Sequence, residues 1–398
     1  MLNEIEKVYA GFDLFKLDNF LTDSQRALRD RVRTYVNEVV RPKITPYWER
    51  AEFPWEIVMP MTELGIMGGL IRGWGSAGLD PLEVGLVTYE IAKGDGSVGT
   101  FFGVQSGLAM TSIGLLGSDE QRERWLPGLA KLEKIGAFGL TEPNVGSNAR
   151  GIETMATLDG DHYVLNGAKR WIGNASMSDV LIIWARDEDG KLGAFVVEGA
   201  KDGVEGLTIE DIPYKIGKRA ILNGDIKLEN VRVPKENRLV KVSSFKDAST
   251  VLMMGRTGVA WEAAGAAAGA YELALQYTLE REQFGKPIAS YQLIQQKLVE
   301  MATEVTAMQL ICFQVAQLVG SRQIDEGIAS MAKYNNARKA RYVTQLAREV
   351  MGGNGLLADR HVARLMTDAE VIYTYEGTNE MNLLIVGRTL TGINAISS

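Results

Sequence analysis

Asp159-Gly-Asp-His-Tyr-Val-Leu165, Val180-Leu-Ile-Ile-Trp184 and Ala194-Phe-Val-Val197 decide how this chain is divided. Their β-branched and aromatic residues suit a pleated, half-buried surface. Asp159-Gly160, Asn166-Gly167 and Asp189-Gly190 lie beside these runs, and such dipeptides accept the left-handed backbone of tight hairpins. Residues 137 to about 242 therefore read as a compact antiparallel barrel or sandwich.

On both sides the period changes to that of helices. Thr22 and Gln25 form a capping box, and Leu28, Val32, Tyr35, Val36 and Val39 follow at helical spacing until Pro42. Asp80-Pro81 starts a helix to Gly94, and Ser118 with Gln121 opens another. After the β block, long helices are expected over Gly255–Arg281 and about 290–320, 325–351 and 379–394. The first contains Ala263-Ala-Gly-Ala-Ala-Ala-Gly-Ala270, small enough for close helix contact. The fold class expected is α+β: an N-terminal helical domain over 1–136, a middle antiparallel β-barrel domain over 137–244, and a C-terminal four-helix bundle over 245–398. No repeat or low-complexity linker intervenes, so the domains should pack together.

Composition narrows the function classes. With 398 residues, 46% hydrophobic and 23% charged, the chain has a globular make-up and room for a large core. A net charge of −7 without a basic block argues against nucleic-acid binding, while leaving room for a local cationic pocket. A single cysteine, Cys312 in an apolar helical run, reads as a buried structural thiol. His162 and His361 lack clustered ligand partners, so no metal site is expected. The N-terminus lacks the basic and apolar regions of a signal peptide. The apolar stretches read as too short for a membrane span, and the chain ends Ile-Ser-Ser without a peroxisomal address. Cytoplasmic location is the expectation.

Chemistry concentrates in a few segments. Tyr375-Glu-Gly-Thr378 sets one carboxylate between an aromatic ring and a glycine, ahead of a helix that Thr378 could cap. A partly desolvated carboxylate holds its proton more strongly and makes a better base; the plain alternative is a glutamate in a surface turn. Phe138-Gly-Leu-Thr-Glu-Pro-Asn-Val-Gly-Ser147 offers backbone and hydroxyl donors suited to an anion or a polar ring edge, or is an ordinary connection. In Lys169-Arg-Trp-Ile-Gly-Asn174, Trp171 is either core or a stacking surface. Arg281-Glu-Gln-Phe-Gly285 and Met351-Gly-Gly-Asn-Gly355 end helices, where glycine serves as a cap or admits a phosphate chain.

In this order and spacing, these motifs resemble the acyl-CoA dehydrogenase family over nearly the whole chain. Tyr47-Trp-Glu-Arg-Ala-Glu-Phe-Pro54, Trp171-Ile-Gly-Asn174 and Ile372–Thr378 look closest to the branch of glutaryl-CoA dehydrogenase and the plant short-chain acyl-CoA oxidase. The resemblance implies FAD as cofactor and Glu376 as the base that takes the α-proton of an acyl-CoA. It implies that Phe138, Leu140, Thr141, Gly146 and Ser147 line the flavin and its pyrophosphate, with Trp171, Ile172 and Gly173 against the ring system. Arg281, Phe284, Gln292, Met351, Gly352 and Gly353 would touch the FAD of a neighbouring subunit, and Thr378 and Glu380 the adenosine phosphates. Ser147, Met253, Arg256, Tyr375 and Gly377 would meet the acyl-CoA. A homotetramer built from dimers and electron transfer to an electron-transfer flavoprotein are likewise implied.

Departures shape what the resemblance implies. Some members carry the base on the helix before Arg256, where this chain has Leu252-Met-Met-Gly255; Glu376 is left as the candidate. Gly173 stands where many members have threonine beside the flavin N5, as in the oxidase branch, so an oxidase that reduces dioxygen is the alternative. Gly99 aligns with the arginine that binds the distal carboxylate in glutaryl-CoA dehydrogenase. A carboxylate buried without a partner costs several kcal/mol, so a short or branched uncharged acyl group is expected over glutaryl-CoA. A non-catalytic acyl-CoA or flavin binder is a third reading, against which the intact Glu376 argues. Acyl length rests on how Phe101, Phe102, Met253 and Met254 pack.

Overall fold

Thr22 caps α1 (Asp23–Tyr35) through the expected box with Gln25. The chain then runs on through Pro42. A π-helical turn at Val36–Val40 widens the backbone just ahead of α2 (Arg41–Arg50), so Pro42 follows directly on the widened turn. The computed structural model describes residues 13–395. Asp80 caps α3 (Pro81–Gly94) and is itself bonded by Glu83. Next comes one continuous helix: α4 (Gly96–Phe102), a π stretch at Gly103–Met110, and α5 (Thr111–Leu116). Ser118 and Gln121 form their box at the head of α6 (Asp119–Ala130).

The middle domain holds β1 (Gly136–Gly139), β2 (Met155–Asp159), β3 (His162–Gly173), β4 (Val180–Arg186), β5 (Leu192–Glu198), β6 (Leu207–Asp211) and β7 (Asn223–Pro234). They form one sheet ordered β1-β4-β2-β3-β7-β6, with β5 on β4. Two expectations need correction. The sheet is mixed, since β1 runs parallel to β4 and Met155 of β2 pairs parallel to Arg186. Asn166-Gly167 is no hairpin turn either; it is a bulge inside β3. A Cβ on Gly167 would stand 2.6 Å from Thr154 Oγ1, the close approach that marks a glycine within a strand. The Asp159-Gly160 and Asp189-Gly190 hairpins form as read.

Five helices make the C-terminal domain: α7 (Phe245–Glu280), α8 (Gln292–Gly320), α9 (Glu326–Val350), α10 (Val362–Thr374) and α11 (Asn379–Thr391). The sequence reading lacked α10. It starts from His361 at φ 62° with no side-chain cap, so it carries no start signal. The Ala/Gly run lies where α7 meets α3: Cβ atoms on Gly265 and Gly269 would fall 2.3 Å from Tyr89 O and 2.5 Å from Lys93 O. Around α7 a core of Ala260, Met301, Met308, Cys312, Val343 and Ile372 closes. Cys312 is buried and accepts Asn336 Nδ2 at 3.2 Å; burial pushes its thiol far up. By length and composition Gly96–Leu116 and Gln292–Gly320 could cross a membrane, each with mean hydropathy 1.2, which corrects the reading that no stretch is long enough. Both lie in the helical domains, the former more than half buried.

Candidate active site

Helix α10 ends at Thr374, and the chain turns sharply before α11. Glu376 (φ 54°) and Gly377 (φ 79°) are both left-handed. For a glutamate that conformation costs on the order of 1–3 kcal/mol and persists only where its surroundings enforce it. Here they do. Lys333 Nζ, fully buried, donates to Tyr373 O and Gly377 O at 3.0 Å each. Asn382 Nδ2 donates to Gly377 O at 2.8 Å and Thr378 O at 3.0 Å. Thr378 caps α11 by accepting Met381 N, as the sequence suggests.

The turn aims Glu376 at α7. Its Oε2 is out of contact with solvent and has no hydrogen-bond partner. Burial, with a smaller push from the charge of Glu262, raises its pKa to about 7, against the pull of Arg256 and Lys333. A buried carboxyl oxygen without a partner is rare in a folded chain, and a carboxyl poised near neutrality is suited to take a proton.

Glu376 opens into a cavity of about 720 Å³ at the junction of the three domains. Its wall includes Phe138 of β1, Leu140, Thr141, Gly146 and Ser147 after it, and Trp171, Ile172 and Gly173 at the end of β3. Arg256, Tyr375, Gly377 and Thr378 line it as well. The loop after β1 is fixed by Glu142, which accepts Lys169 Nζ at 2.8 Å, Thr154 Oγ1 at 2.6 Å and the amides of Glu153 and Thr154. Trp171 is left-handed and 51% exposed, so it is not core; its ring lies in the wall with the Arg170 guanidinium 5.4 Å from its centroid. Gly173 stands against Val104 of the π stretch, where a Cβ would be 3.0 Å from Val104 Cγ2. An exposed indole, a rigid donor-bearing loop and a side-chain-free strand end fit a planar flavin with a phosphate tail.

Other expected residues lie elsewhere. Met253 is not in the wall, which takes Leu252, Met254 and Gly255 from α7 instead. Glu380 is exposed and accepts Tyr373 Oη at 2.8 Å. Arg281 follows the end of α7, roughly 37 Å along the axis from Arg256 at 1.5 Å per residue. Phe284, at the tip of a small hairpin, is 94% exposed; Gln292, Gly352 and Gly353 are also exposed, while Met351 is buried. One chain does not bring these residues to its own cavity.

The sequence reading missed several groups. Lys218 Nζ donates to Thr100 Oγ1 at 2.8 Å and Tyr375 Oη at 2.5 Å, and is paired with Glu262; all four line the cavity. Glu262 carried a usable signal, as a lone carboxylate in the apolar stretch Val259–Ala270. Lys218 and Lys333 carried none, because only long-range contacts bury them.

Fold and site are those of a flavin-dependent oxidoreductase. Family models for the N-terminal, middle and C-terminal domains of acyl-CoA dehydrogenase match residues 22–133, 137–231 and 245–391. The chain belongs to the acyl-CoA dehydrogenase family, oxidoreductases acting on CH–CH bonds. It is similar to a glutaryl-CoA dehydrogenase from Mycobacterium smegmatis in complex with FADH2, at 35% identity and TM-score 0.94, over 98% of this chain and 100% of that one. Butyryl-CoA dehydrogenase from Megasphaera elsdenii aligns with TM-score 0.88 and 33% identity, over 93% and 98% of the two chains. The CarC subunit of the caffeyl-CoA reductase–Etf complex of Acetobacterium woodii is 32% identical, over 93% of this chain and 99% of its own.

Proposed function

We propose that the protein dehydrogenates a short-chain or branched acyl-CoA to the trans-2-enoyl-CoA, with Glu376 as the α-proton base. The observation that carries this is the unpartnered Glu376 Oε2, buried at the cavity wall. The main-chain N–H of Glu376 would donate to the thioester carbonyl and stabilise negative charge as the proton leaves. A base so placed contributes typically about 10²–10⁴ in rate. Trp171, Ile172 and the Phe138–Ser147 segment would hold FAD, which would supply the hydride-accepting chemistry.

An electron-transfer flavoprotein is the acceptor we propose, supported by the relative that works in an Etf complex. We further propose a cytoplasmic homotetramer in which Arg281, Phe284, Gln292 and Met351–Gly353 reach a neighbouring subunit's FAD. Their position outside the chain's own cavity supports this. Glutaryl-CoA is disfavoured, because Gly99 supplies no cation and a Cβ there would face Glu262 Oε1 at 3.7 Å, while the one nearby ammonium, Lys218, spends its donors on Thr100, Tyr375 and Glu262.

The test is anaerobic mixing of the yellow protein with butyryl-CoA. The flavin should bleach as enoyl-CoA forms; no bleaching with any short- to medium-chain acyl-CoA rejects the proposal. Oxidase activity is the second reading, favoured by the absence of a hydroxyl at Gly173. Hydrogen peroxide formed in step with enoyl-CoA would establish it, and reduced flavin that persists for minutes in air would exclude it.

A further inference from the structure

Gly255 and Glu262 lie on one face of α7, two turns apart, so Glu262 stands about 10 Å along the helix from the point facing the base. One turn further, at Gly265, α7 touches the α3 backbone. Along this face the cavity therefore ends at Glu262.

Its end wall is a charged cluster. Lys218 is left-handed (φ 47°), and its backbone N–H is held by Asp368 Oδ1 at 2.5 Å. That places its Nζ among Thr100 Oγ1, Tyr375 Oη and Glu262 Oε1. The Tyr375 hydroxyl in turn donates to Glu262 Oε2. A buried ion pair adds little to stability compared with apolar side chains of the same volume. An alkyl-binding wall would be better built from such side chains, so the cluster calls for a role in selection.

Counting donors and acceptors shows which group it selects. An ammonium has three N–H donors, and Lys218 spends all three. The Tyr375 hydrogen is also spent. Each Glu262 oxygen accepts one bond and can accept more, and Gly99 puts no side chain between Oε1 and α4, where a Cβ would stand 3.7 Å from it. Thr100 accepts from Lys218, and its own hydrogen goes to Tyr375. What the wall offers a ligand is thus an anionic acceptor whose neighbour is an ammonium with no donor to spare. An alcohol can donate to it; a carboxylate is repelled by Glu262, an ammonium by Lys218, and a methyl group makes no use of it.

We propose that Lys218, Glu262, Thr100 and Tyr375 form a subsite for a distal hydroxyl, and that the preferred acyl group is a short hydroxyacyl chain. This rests on the dehydrogenase reading above. The cavity wall also includes Val84, Val259 and Val315, against which a plain alkyl tail would lie.

Three five-carbon thioesters separate these outcomes: pentanoyl-CoA, 5-hydroxypentanoyl-CoA and glutaryl-CoA, each assayed for kcat/KM on the holoenzyme with an artificial acceptor. The hydroxyl compound should exceed pentanoyl-CoA by about tenfold, as one hydrogen bond to a charged acceptor allows, and glutaryl-CoA by more. In the Lys218→Met/Glu262→Leu double variant, pentanoyl-CoA should become at least equal to it. Equal values in the wild type, or an unchanged ratio in the variant, overturns the subsite even where pentanoyl-CoA bleaches the flavin normally. No bleaching by any of the three overturns the dehydrogenase reading as well.

Discussion

Gly255 makes room for Glu376: a Cβ at residue 255 would lie 3.0 Å from Oε2 and 3.2 Å from Cδ of the carboxyl. The same spot in the cavity is thus within reach of two backbone positions, one on the turn after α10 and one on α7. We predict that Glu376→Gln keeps FAD and loses about 10²-fold or more in kcat. In the Glu376→Gly background, which clears this contact, Gly255→Glu should restore part of the activity, because the new carboxyl starts from beside the old one. Stopped-flow flavin reduction measures both; a double variant as slow as Glu376→Gly alone would show that the base position is stricter than the geometry implies.

A second prediction concerns pH. The base must be ionised to act, so kcat/KM should rise with pH through about 7 and then level off. Stability should move the other way. Glu376 holds its proton more tightly folded than unfolded, where 4.5 is usual, so the folded form binds more protons between those values and loses stability as pH rises through them. A shift of that size is on the order of 3 kcal/mol. Glu376→Gln has no such loss and should be the more stable protein at pH 8, with the gap closing below about pH 4.5. Thermal unfolding at several pH values reads the gap.

Lys333 gives a third. Its ammonium bonds Tyr373 O and Gly377 O, holding the turn that carries the base, and its charge favours ionised Glu376. Lys333→Met removes both effects. The kcat/KM profile should move to higher pH and kcat should fall, with flavin binding retained. A fall in kcat with no movement of the profile would leave Lys333 a purely mechanical role.

How much of this was written locally in the chain differs between fold and site. Helix starts with side-chain caps at Thr22, Asp80 and Ser118 were readable because each cap lies within three residues of its partner. Helix α10 was not, since it begins without a cap, and Gly167 was misread because its reason for being glycine is Thr154 across the sheet. At the site, the motif residues around Glu376, Ser147 and Trp171 were legible as short patterns. The Lys218–Glu262–Tyr375 cluster was not, because it joins residues from the middle domain, the middle of α7 and the end of α10.

The tight contact between α7 and α3 supplies the last prediction. Glycine within a helix usually weakens it, so Gly→Ala normally stabilises by about 0.5–1 kcal/mol. A Cβ on Gly387 in α11 would meet nothing within 4 Å, and Gly387→Ala should show that gain. Gly265→Ala should show the reverse: the added carbon would fall 2.3 Å from Tyr89 O, a backbone atom that moves only with α3 itself. Overpacking of this kind costs typically about 1–3 kcal/mol. Because α3 and α7 both wall the cavity, their separation should also change acyl-CoA affinity, whereas Gly387→Ala should leave it unchanged. Opposite shifts in melting temperature for the two variants are expected; equal shifts would mean that α3 gives way freely and that the Ala/Gly run does not set the helix spacing.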